Sequence, residues 1–233
     1  MSLSFYEVAK REYHADQSDA SDIFTSTTAF ATASTDADGW KMLLTSTTAS
    51  GWWHFGDKLI WDVDKLHSVE YLFKPSAMAT TAQEIYLGVG TAINASPDVI
   101  ASSVFAKSTA AEVSAGSDSY RMNLQSDDGV TDVPSWDTGF EIVDDEWYRV
   151  KFGFKEKVTS VSHNASLPGK SNIQVKLTNA QGNYQRTPAQ SAGANLSLNG
   201  YTGGLQPVFG LLGAVAGAIL HVKSIKVEYE QST

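Results

Sequence analysis

Apolar positions recur along this chain with a period of two. From Trp147 to Phe154, the residues Tyr148, Val150, Phe152 and Phe154 fall on one side, and Trp147, Arg149 and Lys151 on the other. That is the alternation of a half-buried antiparallel strand, entered here from an acidic turn at Asp145-Glu146. His67 to Lys74 repeats it, with Val69, Tyr71 and Phe73 opposite Ser68, Glu70 and Leu72, and Pro75 is expected to end the run. Ile173 to Thr178 alternates into an Asn179–Gly182 turn. His221 to Tyr229 sets Val222 apart from Ile225, Val227 and Tyr229, and the phase slip near Ser224 predicts a β-bulge. Shorter β-prone runs lie at Trp40–Thr45, Trp52–Phe55, Leu59–Trp61, Glu84–Gly90, Tyr120–Leu124 and Gln206–Leu212, while Val99–Phe105 reads equally as helix or strand.

Between these runs the punctuation is that of turns. Asp36-Ala-Asp-Gly39, Ser126-Asp-Asp-Gly129 and Asp137-Thr-Gly139 supply local hydrogen bonds and positive φ. Residues 114–139, apart from the short strand at Tyr120–Leu124, read as turn-rich, and residues 187–204 read as a Ser/Gly/Asn loop. Residues 1–22 are polar, with a helical tendency over Phe5–Tyr13, and are expected to form an N-terminal arm or a first short element. No repeat or linker divides the rest. Strands at roughly 10–15-residue spacing predict an all-β fold, a two-sheet antiparallel jelly-roll sandwich over residues 23–233.

Composition narrows what such a sandwich does. With 233 residues, 42% of them hydrophobic, the chain supports a full core. Only 18% are charged, and the net charge is −9, a field that repels nucleic acid and anionic membrane. Ser, Thr, Ala, Gly and Asn take the place of the missing charge. There is no cysteine, so disulfides, thiolate nucleophiles and Cys-ligated zinc are excluded. Residues 1–22 contain no apolar signal core. Val208–Val222 is the longest apolar stretch, but Gly210, Gly213 and Gly217 interrupt it and it is too short to span a bilayer.

Candidate chemistry is sparse. Glu141-Ile-Val-Asp144-Asp145-Glu146 is the one carboxylate run that could place a general acid and a nucleophile along a strand. Val143 breaks its alternation, and a solvated turn is the simpler reading. Asp36/Asp38, Asp62/Asp64 and Asp127/Asp128 are the pairs a calcium ion would use, though none has the spaced run of oxygens that makes a calcium loop. The five histidines, His14, His54, His67, His163 and His221, never pair at short spacing, which argues against zinc. For sugar stacking the candidates are Trp52, Trp53, Trp136 and the adjacent Asp137. On a strand Trp52 and Trp53 face opposite ways, so one of them is available to the surface, the alternative being one in the core and the other over its edge.

Three segments carry a family resemblance. Ser68-Val-Glu-Tyr-Leu-Phe-Lys-Pro75 resembles an early strand of the concanavalin A-like, laminin-G-like jelly rolls. Asp145-Glu-Trp-Tyr-Arg-Val-Lys151 resembles their acidic turn and Trp-aromatic strand, and Ile219–Tyr229 their closing strand. The family's glycanase pattern, Glu-x-Asp-x-x-Glu, is broken at Val143. The resemblance implies the fold but not the task, because lectins, glycanases, adhesion modules and virion proteins share it. The composition in turn resembles that of bacteriophage virion proteins. The expectation is therefore a non-enzymatic virion structural protein, a phage head decoration or surface protein. It would be a homo-oligomer bound to capsid or other virion proteins and would need no cofactor. The alternative is a carbohydrate-binding or adhesion module with a glycan partner.

Overall fold

The computed structural model describes residues 6–15, 23–27, 31–46, 49–56, 58, 60–78, 83–94, 97–109, 119–130, 132–156, 158, 168–182, 185–186, 196–213 and 216–232. Their strands form two antiparallel sheets, the predicted sandwich. In the first sheet β14 (Gln185–Arg186), β13 (Gln174–Asn179), β12 (Tyr148–Gly153), β7 (Leu66–Ser76), β16 (Ile219–Ser232), β4 (Gly39–Leu44) and β3 (Ala31–Asp36) lie side by side. β1 (Tyr6–His14) pairs with the far half of β16, from Tyr6 opposite Ser232 to His14 opposite Ser224. The second sheet runs β11 (Asp132–Val143), β10 (Ser119–Asp127), β9 (Ser103–Thr109), β8 (Gln83–Gly90), β15 (Gly204–Gly213), β5 (Ala49–His54) and β2 (Phe24–Thr27), with β6 (Trp61–Asp62) beside β15.

The period-two pattern becomes the core. Tyr71, Phe73, Val150, Phe152, Val222 and Val227 from the first sheet meet Leu87, Val104, Met122, Phe140, Phe209 and Leu211 from the second, all buried. Phe209 is central. Its ring lies 6.2 Å from Trp53 in a stacked arrangement, 6.2 Å from Trp40 and 6.3 Å from Tyr71. Tyr71 belongs to the first sheet, yet its hydroxyl donates to the carbonyls of Gly88 and Val208 in the second, giving a polar tie across the apolar gap. A buried phenol needs such a partner, and the tie fixes how the sheets slide on one another.

Four expectations are corrected. Residues 6–14 are a strand rather than a helix-prone arm. Nine residues cannot sustain a helix alone, whereas the edge of β16 offers them nine register pairs. Pro75 does not end β7, which runs on to Ser76; Pro75 lies beyond the last residue that pairs with β12. The 114–139 segment is largely sheet over residues 119–127 and 132–139, because β10 and β11 form a long hairpin. Asp137-Thr-Gly139 is a bulge inside β11. The register slips between Met122 and Asn123, Gly139 takes φ 64°, and Asp137 Oδ1 accepts the Gly139 N–H at 2.7 Å. The ambiguous Val99–Phe105 segment divides into a 3-10 turn at Pro97–Val99 and the start of β9. The bulge predicted near Ser224 is present, as a register shift between Val222 and Ser224.

Candidate functional site

The two adjacent tryptophans of β5 do face opposite ways, but neither reaches solvent. Trp53 is 7% exposed, within the core, and Trp52 is 1% exposed on the outer face of the second sheet. That outer face carries a second apolar layer. Trp52, Tyr86, Phe105, Val208 and Ile100 cluster there, with Ile93 and Leu212 packed against them. The register explains the arrangement. Trp52 sits opposite Gly210, which sits opposite Tyr86; Val208 sits opposite Gly88, which sits opposite Phe105. Each glycine leaves room for a ring to lie flat on the sheet. A Cβ on Gly210 would stand 2.4 Å from the Trp52 ring. Tyr86 lies 5.7 Å from both Trp52 and Phe105, and its hydroxyl donates to Glu84 at 2.6 Å. Lys107, itself buried, reaches over the Tyr86 ring at 5.9 Å. The predicted stacking platform at Trp52 and Trp53 is thus interior on both sides, because alternation sets the face of a side chain and not what covers it. Trp136 pairs with Leu124 in β11, but its side chain lies outside the described residues. Asp137 is exposed and receives Arg121 at 3.1 Å.

The carboxylate run 141–146 is dispersed over structural tasks. Glu141 faces Arg121 at 3.7 Å. Asp144 accepts the Met78 N–H at 3.0 Å. Asp145, at φ 62°, accepts the Ser76 hydroxyl at 2.6 Å, and Glu146 accepts that of Tyr148 at 3.1 Å. Asp144 and Asp145 tie the β11–β12 turn to the end of β7, and the four carboxylates present no facing pair. Two of the Asp pairs are likewise turn-builders. Asp62 Oδ1 accepts the Asp64 N–H, Asp127 Oδ1 that of Gly129, and Asp128 those of Val130 and Gly200.

Asp36 and Asp38 do gather a titratable cluster, and the residue that completes it, His221, has no nearby sequence partner. The β3–β4 hairpin turns at Asp36–Gly39. Gly39 takes φ 114°, and a Cβ there would stand 2.3 Å from the Val222 carbonyl oxygen, so the hairpin tip lies directly on the bulge of β16. That contact brings His221 Nε2 to 3.2 Å from Asp36 Oδ2. Asp36 Oδ1 accepts the Asp38 N–H at 2.9 Å, Asp38 Oδ2 receives Lys74 at 2.6 Å, and Lys41 stands 3.7 Å from Asp36. Lys74 and Lys223 lie 5.2 and 5.6 Å from the Trp147 ring. One ligand atom from each of Asp36, Asp38 and His221 falls within 4.8 Å of the others. Calcium fits this set poorly, since it takes six to eight oxygens and His221 offers nitrogen. Lys74 and Lys41 already supply positive charge to both carboxylates. No spacing rule finds such a cluster, because strand register, not sequence distance, brings residues 36 and 221 together.

These contacts shift acid groups. Burial pushes the Asp36 carboxyl up, but the Asp38 N–H, the hydrogen bond and charge of His221 and the charge of Lys41 outweigh it and hold it below its ordinary 3.8. Lys155 and His67 outweigh burial at Glu230, which is held below 4.5. At Glu156 burial again opposes, and the hydrogen bonds of Lys151, Glu228 and Ser68 win. A carboxyl depressed in the folded state contributes stability above its unfolded pKa and loses it as pH falls through the folded value. The melting temperature should therefore fall as the pH drops through and below 3.8–4.5, and Asp36→Asn should flatten that fall. An Asp36→Asn titration that matches the parent would show that the cluster contributes nothing.

No protein-family model matches the chain, and no curated protein matches it in sequence. Solved structures match its fold. A Shewanella oneidensis MR-1 protein of unknown function aligns over 99% of this chain and 89% of its own, with TM-score 0.56 and 14% identity. Lectin II from Ulex europaeus aligns over 96% and 98%, with TM-score 0.55 and 10% identity. The potassium-bound carbohydrate recognition domain of Emp46p aligns over 91% and 93%, with TM-score 0.54 and 7% identity. The fold is concanavalin A-like, as the three resembling segments implied. Its structural neighbours include lectin-like carbohydrate-recognition domains.

Proposed function

We propose that this is a non-enzymatic structural protein of a virion surface, a phage head decoration or surface protein in the sharpest form, acting through protein–protein contacts. The observation that carries the reading is the buried Trp52–Tyr86–Phe105 layer. It takes Trp52, a candidate for sugar stacking, out of solvent. That Asp144, Asp145 and Glu146 hydrogen-bond within the β11–β12 turn region while Glu141 faces Arg121 supports the non-enzymatic reading. The outer face of the first sheet is broad and polar, with Lys, Arg, Glu and Asp paired across strands, and suits a protein partner better than a small ligand. The cysteine-free, acidic, Ser/Thr/Ala/Gly-rich composition supports the virion setting. Localisation to the particle and assembly as a homo-oligomer are part of this proposal.

A carbohydrate-binding role is the second reading. The lectin-like neighbours favour it, and its surface would be the bulged stretch of the β10–β11 hairpin, at Asp137 and Arg121 beside the Trp136 position. The test is co-sedimentation with particles from the source, run beside a glycan array. Saturable binding to particles, with a native mass above that of one chain, supports the structural reading. Glycan binding that disappears on Asp137→Ala, with no particle association, overturns it in favour of the second.

A further inference from the structure

The outer face of the first sheet carries its charges in register. One row runs Lys176, Lys151, Glu70, Lys226, Glu12 across β13, β12, β7, β16 and β1. From Lys151 to Glu12 the signs alternate, the arrangement that stabilises cross-strand neighbours. At the other end two lysines face each other directly, which costs stability. Arg149, two residues from Lys151 on the same face, adds a third cation.

Every other cation described on this face has an answer. Lys10 stands 3.7 Å from Glu12, Lys41 3.7 Å from Asp36, Lys74 2.6 Å from Asp38, Arg149 3.0 Å from Glu70 and Lys151 2.6 Å from Glu156, while Lys226 lies 3.4 Å from Glu12. Lys223 lies over Trp147. Lys176 has no carboxylate within 4.0 Å among the described residues. Around it the surface dips into a groove of about 340 Å³ lined by Arg149, Lys151, Lys176, Thr178, Glu70 and Glu156, among others. The groove thus holds three cations against two carboxylates, one positive charge in excess on a chain of net charge −9.

We propose that this groove is an oxyanion site, taking one sulfate, phosphate or carboxylate group of a ligand between Lys176 and Lys151, with the Thr178 hydroxyl as a further donor. The bound anion restores the alternation that the Lys176–Lys151 pair breaks. Glu70 and Glu156, which already hold Arg149 and Lys151, leave the groove charge enough for a single anionic group and repel a polyanion, so nucleic acid is rejected. The site is independent of the virion reading: it needs neither a capsid nor an oligomer.

The test uses the full chain at constant ionic strength, with amide chemical shifts read during titration by sodium sulfate, by a sulfated disaccharide, by glucuronate and by sodium chloride as control. Saturable shifts confined to β12 and β13, absent with chloride, are expected. Sulfate alone sufficing identifies a free-anion site; the disaccharide or glucuronate binding more tightly than sulfate identifies a saccharide-borne group. Lys176→Ala should weaken binding at least about tenfold, equivalent to about 1.4 kcal/mol, and Lys65→Ala, outside the groove, should not. Lys176→Glu should abolish binding while raising the melting temperature, because it pairs with Lys151. A raised melting temperature with no saturable anion binding in the parent protein overturns the proposal, as does binding unchanged in Lys176→Ala.

Discussion

Trp52→Ala is expected to lower the stability of the fold by about 3–5 kcal/mol, the cost of emptying a fully packed aromatic site. In an exposed platform the same change would leave stability within about 0.5 kcal/mol and remove only binding. The difference follows from position. Trp52 is 1% exposed, its ring lies 5.7 Å from Tyr86 and 6.5 Å from Phe105, and Gly210 beneath it offers no atoms with which to fill the void. One effect works the other way: the Trp52 indole Nε1 is buried without a hydrogen-bond partner among the described residues, so truncation also removes an unsatisfied donor and pulls the cost toward the lower end of the range. Denaturant unfolding followed by a probe other than tryptophan fluorescence measures it. A midpoint shift worth less than about 1 kcal/mol would mean that Trp52 is not part of a packed layer, and would put the carbohydrate reading ahead of the structural one.

Gly88→Ala is expected to cost about 3 kcal/mol, although in an ordinary strand position alanine gains about 0.5–1 kcal/mol over glycine. The added methyl would stand 2.0 Å from the Val104 carbonyl oxygen and 2.8 Å from the Phe105 ring. A ring can turn aside; the neighbouring backbone cannot without breaking the β8–β9 ladder. The same strand movement would displace the Gly88 carbonyl that accepts the Tyr71 hydroxyl across the core, which adds about 1 kcal/mol. Gly169→Ala is the control, because nothing lies within 4 Å of the position its methyl would take. Equal stability of the two variants would show that the second sheet yields at β8.

The parts of this molecule legible in its sequence are those where one side of a strand meets the core and the other meets water. β7, β12 and β13 alternate for that reason, and even the slip in β16 could be located, since a bulge shifts the phase by one residue and leaves a visible mark at Ser224. Where both faces are covered the signal fades. β8 reads Glu-Ile-Tyr-Leu-Gly-Val-Gly, without a polar residue after Glu84 to mark alternate positions, and nothing in it tells that Tyr86 belongs to a second layer while Leu87 belongs to the core. Asp137-Thr-Gly139 misled for a different reason: a hairpin turn and an in-strand bulge need the same positive φ and the same Asp acceptor. β1 was obscured because, of its side chains that the structure describes, only Tyr13 is buried, so its pairing rests on backbone bonds that any sequence can make. Of the site residues, Asp36 and Asp38 were nameable in advance. His221 was not, because its approach depends on Gly39 seating a hairpin on a bulge 183 residues away.

The pairing of β1 with β16 also decides how the molecule answers mechanical force. Tyr6 stands opposite Ser232 and His14 opposite Ser224, so chain entering at residue 6 and chain leaving at residue 232 depart from the same end of the sheet. Tension between those two points loads the outermost backbone bond alone, then the next, as in opening a zipper, and β1 peels away at low force before the core is strained. Tension applied between Tyr6 and a point at the opposite end of the sandwich would instead load the whole ladder in shear. The same protein is thus soft along one axis and stiff along another, by topology and without any change in sequence.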